Sequence, residues 1–161
     1  TECYLCNQVG VIDSPIYRGE IQLRMKLRDS IETMALVETF KSGYGSYEEK
    51  LIERESKYPT GIKLEKCNIA ICHTDPTYAL KNVIYIVKPE KTIIFKNSED
   101  LTDIPVSLIF GLVFSNGNSH LSALKKVAQV LSSEQIRNEF IAADSKEELC
   151  ELMTKYLKET I

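Results

Sequence analysis

Val-Ser-Leu-Ile-Phe-Gly-Leu-Val-Phe at residues 106–114 is the longest apolar run in the sequence, and it decides the fold. Only Ser107 and Gly111 interrupt it. A continuous apolar run of this kind is typical of a strand buried on both faces, at the centre of a sheet that helices cover. Its nine residues are about half of what a helix needs to cross a bilayer, so we expect no membrane insertion.

Further strands and helices surround this run. Alternation of apolar and polar residues predicts a half-buried strand at 21–27, and capping boxes begin helices at Ser46 and Ser145. The remaining patterns place strands at 68–72, 82–87 and 91–95, a turn at 60–61, and helices at 29–43, 46–58, 119–131, 133–142 and 145–158. Strands and helices that intermix in this way predict the α/β class, with one layered domain.

Composition narrows the classes of function. The chain has 161 residues, which suits one domain, and a formal net charge of −3. That charge argues against nucleic acid or an anionic membrane surface as the main partner, because both attract basic patches. Five cysteines, an odd number, favour reduced thiols, and the first residues lack the basic and apolar segments of a secretion signal. We therefore expect a cytoplasmic protein.

Only two histidines occur, and both stand where reactive groups tend to collect. His73 follows the strand predicted at 68–72, and α/β sheets bind ligands at the carboxyl ends of their strands. His120 lies in the first turn of a predicted helix, after the segment 115–119. Because a helix N-terminus presents free amides and a partial positive charge, that segment is a candidate anion site. Strand-end histidines also serve as hydrogen-bonded spacers, so position alone leaves a structural role open.

Other chemistries find little support in the sequence. Cys72 and His73 are adjacent, but successive strand residues point to opposite faces, so the thiol is expected in the core. Cys3 and Cys6 have the spacing of half a zinc site without a second pair of ligands, so no metal is expected. The usual motifs of hydrolases, dinucleotide enzymes and P-loop enzymes are absent. A solvated helix face is predicted for the carboxylates Glu48, Glu49, Glu53 and Glu55.

Several motifs, in order along the chain, together resemble those of one family. They are Leu51-Ile52-Glu53-Arg54-Glu55, Pro59-Thr60-Gly61, Ile69-Ala70-Ile71-Cys72-His73-Thr74-Asp75, Val106-Ser107-Leu108-Ile109-Phe110 and His120-Leu121. With them the chain resembles the sugar-specific enzyme IIA domains of the bacterial phosphotransferase system, of the fructose/mannitol type. The His-Thr-Asp sequence is most similar to the galactitol and pentitol branch. The resemblance implies a domain at 20–161 with a mixed central sheet covered by helices, as in mannitol-type enzyme IIA, and leaves 1–19 as an N-terminal extension, either an edge strand or a mobile arm.

The resemblance also implies a phosphoryl relay. In this family the phosphocarrier protein HPr, charged from phosphoenolpyruvate through enzyme I, donates its phosphoryl group to a histidine of IIA, and that position is His73 here. IIA passes the group to a cysteine of a IIB component, which phosphorylates the sugar or polyol that the membrane component IIC transports. The family's arginine falls on Arg54 and its second histidine on His120. No cofactor or metal is implied.

Residue chemistry agrees with these positions. A neutral imidazole nitrogen is a nucleophile near pH 7, and its phosphoryl product is labile enough to be passed on. Arg54 can hold a phosphate through two parallel hydrogen bonds, and His120 with the amides of its helix can add donors. We expect the Thr74 hydroxyl to help fix His73, whereas Asp75 either orients a ring nitrogen or starts a turn.

Three points stay open at the level of sequence. Cys72 stands where the family has Pro directly before the active histidine, so the backbone restraint that Pro provides is missing. The same resemblance also fits a regulatory, nitrogen-type IIA module, whose phosphorylation state controls a partner protein. The sequence does not identify the sugar.

Overall fold

The run at residues 106–114 forms most of the central strand of a six-stranded sheet, as predicted. The computed structural model describes residues 11–12, 47–79, 82–88 and 92–157. Within these ranges the strands are β1 (Val11–Ile12), β2 (Gly61–Ile62), β3 (Asn68–His73), β4 (Val83–Val87), β5 (Ile93–Lys96) and β6 (Asp103–Val113). All of β6 from Leu108 onward is buried, which explains its continuous apolar sequence.

The sheet is mixed, which confirms the predicted α/β class. Its order is β1-β4-β6-β3-β2, and β5 pairs with the first part of β6. β6 runs parallel to β3 and antiparallel to β4 and β5, while β1 is parallel to β4 and β2 is antiparallel to β3. The parallel pairing places His73 of β3 opposite Leu112 of β6, at the carboxyl ends of both strands.

Four helices lie in the described part of the chain: α1 (Tyr47–Lys57), α2 (Gly117–Leu131), α3 (Glu134–Ala142) and α4 (Lys146–Leu157). Half of the predicted capping box of α4 is present, since the Glu148 amide donates to Ser145 Oγ at 3.2 Å, whereas the Glu148 carboxylate accepts at 2.8 Å from the amide of Asp144, one residue before the cap. None of these four helices has the length and apolar character of a membrane span.

The strands send alternate side chains to two apolar layers. Ile69 and Ile71 of β3 lie on the face that α2, α3 and α4 cover, where the buried helix residues are Ala123, Val127, Leu131, Phe140, Leu149, Met153 and Leu157. Ala70 and Cys72 lie on the opposite face, where Leu51 of α1 packs. By this alternation, His73 belongs to the α2 side of the sheet and Cys72 to the α1 side.

Two buried features hold the sheet and the helices together. A Cβ atom at Gly111 would lie 1.9 Å from Cζ of Tyr85, so the ring of Tyr85, fully buried, occupies the space over β6. The guanidinium of Arg137, 3% exposed, donates to the carbonyl oxygens of Leu131, Ser132 and Glu65 at 2.8, 2.9 and 3.1 Å. Arg137 thereby joins the end of α2 to the loop between β2 and β3.

The structure corrects several predicted boundaries. Gly61 lies in the short strand β2 and not in a turn, because residues 61–62 pair with β3. β6 begins at Asp103, since its first residues pair with β5, although Asp103 and Pro105 are exposed and precede the continuous apolar run. α2 begins at Gly117, two residues before the predicted start, because Asn116 caps it.

Some predictions concern residues outside the ranges that the structure describes. The strand at 21–27, the helix after it, Ser46 and the pair Cys3 and Cys6 lie outside the described residues. Within the extension proposed for 1–19, β1 pairs in parallel with β4 at one edge of the sheet. Cys67 and Cys72 are free and buried.

Candidate functional site

The end of β3 presents His73 as a neutral imidazole with one fixed hydrogen position. Its Nδ1 lies 2.9 Å from the carbonyl oxygen of Ile71. A carbonyl oxygen only accepts hydrogen bonds, so Nδ1 carries the hydrogen and Nε2 keeps its lone pair. Burial, aided by the positive charge of Arg54, lowers the pKa of His73 although the bond to Ile71 opposes this change. His73 is therefore a neutral ring with a nucleophilic Nε2 at neutral pH.

The second histidine lies against the first. The ring centroids of His120 and His73 are 5.1 Å apart, and Phe114 packs edge-on against His120 at 6.2 Å. Burial, followed by the positive charge that His73 carries when protonated and by that of Arg54, lowers the pKa of His120 to about 4. Its Nδ1 is buried and has no hydrogen-bond partner among the described residues. The two histidines predicted as site residues thus meet as neutral rings.

Three amides at the start of α2 already have acceptors within the protein, which leaves fewer donors than expected for an anion site at 115–119. The side-chain oxygen of Asn116 accepts from the amides of Asn118 and Ser119 at 2.8 and 3.2 Å. The amide of His120 donates to the Asn116 carbonyl at 2.9 Å. Asn116 is a favourable N-cap residue and takes the donors that an anion would use. The side chain that α2 contributes to the site is the His120 ring.

Arg54 approaches the same strand end from the other face of the sheet, on the last turn of α1. Its guanidinium carbon lies 4.5 Å from the ring centroid of Tyr58. Its Nε is buried without a hydrogen-bond partner in the described ranges, and its charge lowers the pKa of both histidines. A cleft of about 160 Å³ opens beside it, lined by Lys50, Arg54, Lys57, Thr74, Asp75 and Tyr78 among others. Arg54 thus offers an unsatisfied cationic donor next to the histidine pair.

Thr74 and Asp75 lie at the site but do not hold the ring of His73 in place. Thr74 is 3% exposed and lines the cleft. The Asp75 carboxylate accepts from the amide of Thr77 at 2.8 Å, and so caps the 3₁₀ turn Pro76–Tyr78. Hydrogen bonds from Thr77, and further away the charges of Arg54 and His120, lower the pKa of Asp75. Of the two alternatives for Asp75, the turn start is the one present, and Nδ1 of His73 is bound to the backbone instead.

Cys72 lies apart from the histidines, as its place in the strand predicts. Its side chain is 1% exposed on the α1 side of the sheet, and burial raises the pKa of the thiol well above its ordinary value. The hydroxyl oxygen of Thr60 lies 4.0 Å from Cys72 Sγ. A buried, protonated thiol on the opposite face is not a nucleophile for this site.

Sequence reasoning missed Glu55, which it assigned to a solvated helix face. The Glu55 carboxylate accepts from the amide and the hydroxyl of Thr60 at 2.8 and 2.7 Å. Helical periodicity could not find this contact, because Pro59 separates Thr60 from the helix. The available signal was the occurrence of Arg54-Glu55 and Pro59-Thr60-Gly61 side by side.

Comparison with known proteins identifies the family. The family model "Phosphoenolpyruvate-dependent sugar phosphotransferase system, EIIA 2" matches residues 27–156. The galactitol-specific EIIA component of Escherichia coli (strain K12) is 32% identical over 114 residues, which cover 71% of this chain and 75% of that protein.

Solved structures share the fold. Mannitol enzyme IIA of Escherichia coli, in its complex with phosphorylated enzyme IIB, has a TM-score of 0.63 at 16% identity, covering 91% of this chain and 94% of that one. The nitrogen regulatory protein IIA-Ntr of Neisseria meningitidis has a TM-score of 0.63 at 24% identity, covering 89% and 92%. Family model, relative and fold agree with the resemblance seen in the sequence, and the chain therefore belongs to the EIIA 2 family of the phosphoenolpyruvate-dependent sugar phosphotransferase system, a fructose/mannitol-type phosphotransferase that carries phosphohistidine.

Proposed function

We propose that this chain accepts a phosphoryl group from phospho-HPr on Nε2 of His73 and passes it to a cysteine of a IIB component. The observation that carries this proposal is the hydrogen bond between His73 Nδ1 and the Ile71 carbonyl at 2.9 Å. It leaves Nε2 as the nitrogen with a free lone pair, beside a second histidine and an arginine.

The chemistry follows from that arrangement. Nε2 attacks phosphorus in line, so that a new P–N bond forms on His73 as the P–N bond to the HPr histidine breaks. Charge in the loose transition state spreads over three equatorial oxygens, and positioned cationic donors stabilise it. Arg54 supplies a guanidinium with a spare Nε–H, and His120 supplies a ring nitrogen. In the second transfer a IIB thiolate attacks phosphorus, a P–S bond forms, and the electron pair returns to Nε2.

The substrate and the partners are inferred from the relatives. Identity of 32% to a galactitol-specific component supports uptake of galactitol or a similar polyol, with a membrane IIC component downstream. The mannitol complex with phosphorylated enzyme IIB supports a IIB partner. We assign the carrier domain to residues 20–161, which include the family match at 27–156, and place its action in the cytoplasm.

The decisive experiment is phosphorylation with phosphoenolpyruvate, enzyme I and HPr, followed by intact-mass measurement. We expect one phosphoryl group per chain, stable in alkali and labile in acid as a P–N bond requires. His73→Gln should abolish labelling. His120→Gln should reach the same stoichiometry more slowly, and it serves as the matched control because it changes the neighbouring ring in the same way.

Transfer onward is tested by adding a galactitol-type IIB. Loss of the label from this chain and its appearance on the IIB cysteine support the relay, and a Cys→Ser variant of that IIB should leave the label in place. Undiminished labelling of His73→Gln would contradict the assignment of the acceptor.

A regulatory role is the second candidate. The fold is equally similar to the nitrogen regulatory protein IIA-Ntr, with the same TM-score of 0.63 as for the mannitol enzyme. Adjacent coding regions for IIB and IIC would favour transport. Their absence, together with a partner protein that binds only one phosphorylation state in a pull-down, would favour regulation.

A further inference from the structure

We propose that Glu55, through Thr60, is a positioning residue that sets Arg54 and His73 relative to each other for phosphoryl transfer. This inference rests on the function proposed above. Glu55 lies in α1, and Thr60 directly precedes β2. In this proposal neither Glu55 nor Thr60 touches the phosphoryl group.

Glu55 closes the turn between α1 and β2 with both carboxylate oxygens. One oxygen accepts from the Thr60 amide at 2.8 Å and the other from the Thr60 hydroxyl at 2.7 Å. Thr60 is 8% exposed, so these charge-assisted bonds are largely shielded from water. Two bonds to one residue fix a direction as well as a distance. We call this pair the Glu55–Thr60 clamp.

The Thr60 side of the clamp is anchored to the sheet. The next residue, Gly61, pairs with Ala70 of β3, and its carbonyl accepts from the Ser98 amide at 2.8 Å. A Cβ at Gly61 would lie 2.5 Å from the Lys96 carbonyl oxygen, so the segment sits tightly against the hairpin of β5 and β6. Glu55 therefore binds to a point that cannot shift without disturbing three strands.

From this anchor the hydrogen bonds lead to His73. The Thr60 carbonyl accepts from the Ile71 amide at 3.5 Å, and the Ile71 carbonyl accepts from His73 Nδ1 at 2.9 Å. The clamp thus meets β3 at the peptide next to the one that orients the imidazole. A displacement of Thr60 would reach His73 through Ile71.

On the other side, the clamp holds Arg54. Arg54 directly precedes Glu55, and its carbonyl accepts from the Tyr58 amide at 2.8 Å in the last turn of α1. With Glu55 fixed to Thr60, the helix end cannot rotate or withdraw, and the guanidinium stays over Tyr58. Arg54 and His73 come from opposite faces of the sheet, so their spacing depends on a link of this kind.

The test compares Glu55→Gln, Thr60→Val and Thr60→Ser in single-turnover phosphorylation. Glu55→Gln retains an acceptor for the amide but offers an amide group to the hydroxyl, and Thr60→Val removes the hydroxyl at nearly equal volume. Each protein is phosphorylated by phospho-HPr and by phosphoramidate, a small donor that releases ammonia and needs no docking surface. The control is Glu134→Gln on α3, which also removes a carboxylate from a charged pair, with Lys66, far along the chain from the clamp.

We expect Glu55→Gln and Thr60→Val to lower the maximal rate about tenfold or more with both donors, since small misplacements of a reacting group cost rates of that order. The half-saturating HPr concentration should stay within about twofold, and Thr60→Ser and Glu134→Gln should react like the unmodified protein. The Thr60 amide should exchange slowly with solvent, and faster in Glu55→Gln because a neutral amide oxygen is a weaker acceptor than a carboxylate, so its exchange rate reports the clamp without reference to function.

Three results would overturn the proposal: a Glu55→Gln rate equal to that of Glu134→Gln, a Thr60→Ser rate as low as that of Thr60→Val, or a loss of rate confined to phospho-HPr. The last outcome would assign Glu55 to docking. Failure of the unmodified protein to react with either donor would instead overturn the proposed function. The exchange rate of the Thr60 amide would then still report whether Glu55 binds Thr60.

Discussion

Phosphorylation of His73 should make His120 take up a proton. Burial, the positive charge that His73 carries when protonated and the charge of Arg54 lower the pKa of His120 to about 4, so its ring is neutral at pH 7. A phosphoryl group adds a charge of about −1.5 to −2. It adds this charge to a ring whose centroid lies 5.1 Å from that of His120. An adjacent anion favours the charged imidazole, so the pKa of His120 must rise.

The size of the rise follows from the spacing of the rings. A unit charge at about 5 Å contributes about 3 kcal/mol at an effective dielectric constant of about 20. About one and a half charges, reduced by up to about half for solvent around the half-buried ring, give about 2.5 to 5 kcal/mol, or a pKa higher by about 2 to 4. The pKa of His120 in the phosphorylated protein should therefore lie between about 6 and about 8. In the charged ring both nitrogens donate, so the buried Nδ1 gains or keeps a hydrogen.

The measurement is a pH titration of the ¹⁵N-labelled imidazoles by NMR, before and after phosphorylation, with His120→Gln used to assign the signals. Because phosphorylation raises the pKa, the protonated ring stabilises the phosphorylated form below that pKa, and the stabilisation is lost as pH rises through about 6 to 8. Release of the phosphoryl group should accordingly become more favourable towards alkaline pH. If the pKa of His120 changes by less than about 0.5 on phosphorylation, the charge on His73 does not control the protonation of His120, and the reasoning is refuted.

Three substitutions test the scaffold that supports the site. Gly111→Ala should destabilise the protein by about 1 to 3 kcal/mol in urea unfolding, because its Cβ would meet the Tyr85 ring at 1.9 Å, and Tyr85→Leu in the same chain should relieve most of the added cost. Arg137→Met should cost about 3 to 5 kcal/mol, since three backbone carbonyls lose a buried charged donor; a change below about 1 kcal/mol would contradict that account. Cys72→Ala should lower the free energy of unfolding by about 1 kcal/mol yet leave one phosphoryl group per chain by mass, whereas loss of labelling in a folded variant would implicate the thiol.

Much of the sheet could be predicted because burial on two faces leaves a visible pattern. The run at 106–114 and the strand at 68–72 are apolar except for Ser107 and Asn68, and both lie in the middle of the sheet. The start of β6 is different, because Asp103 and Pro105 are exposed and owe their strand conformation to pairing with β5. Pairing of that kind depends on how β5 folds back onto β6 across residues 97–102, and the apolar pattern of β6 alone does not record it.

In the site, too, some features could be predicted from local sequence patterns and others depend on the folded chain. Local patterns place His73 at the end of a strand and His120 in the first turn of a helix, whereas their contact also requires the parallel pairing of β3 with β6. The capping of the α2 amides could also be predicted locally, because Asn116 is a favourable N-cap residue. The contact between Glu55 and Thr60 could not be predicted from sequence patterns. It crosses Pro59 and joins two elements whose relative placement only the folded chain determines.

The hydrogen bond from His73 to the Ile71 carbonyl has a consequence for variation and for engineering. Every amino acid carries a backbone carbonyl, so the group that orients the imidazole is independent of the residue type at position 71. Exchange of Ile71 for another apolar residue of similar volume should change packing and stability while leaving the tautomer of His73 as it is. The reactive nitrogen is thus specified by strand geometry, and a strand end of the same geometry in another scaffold could present a histidine in the same way.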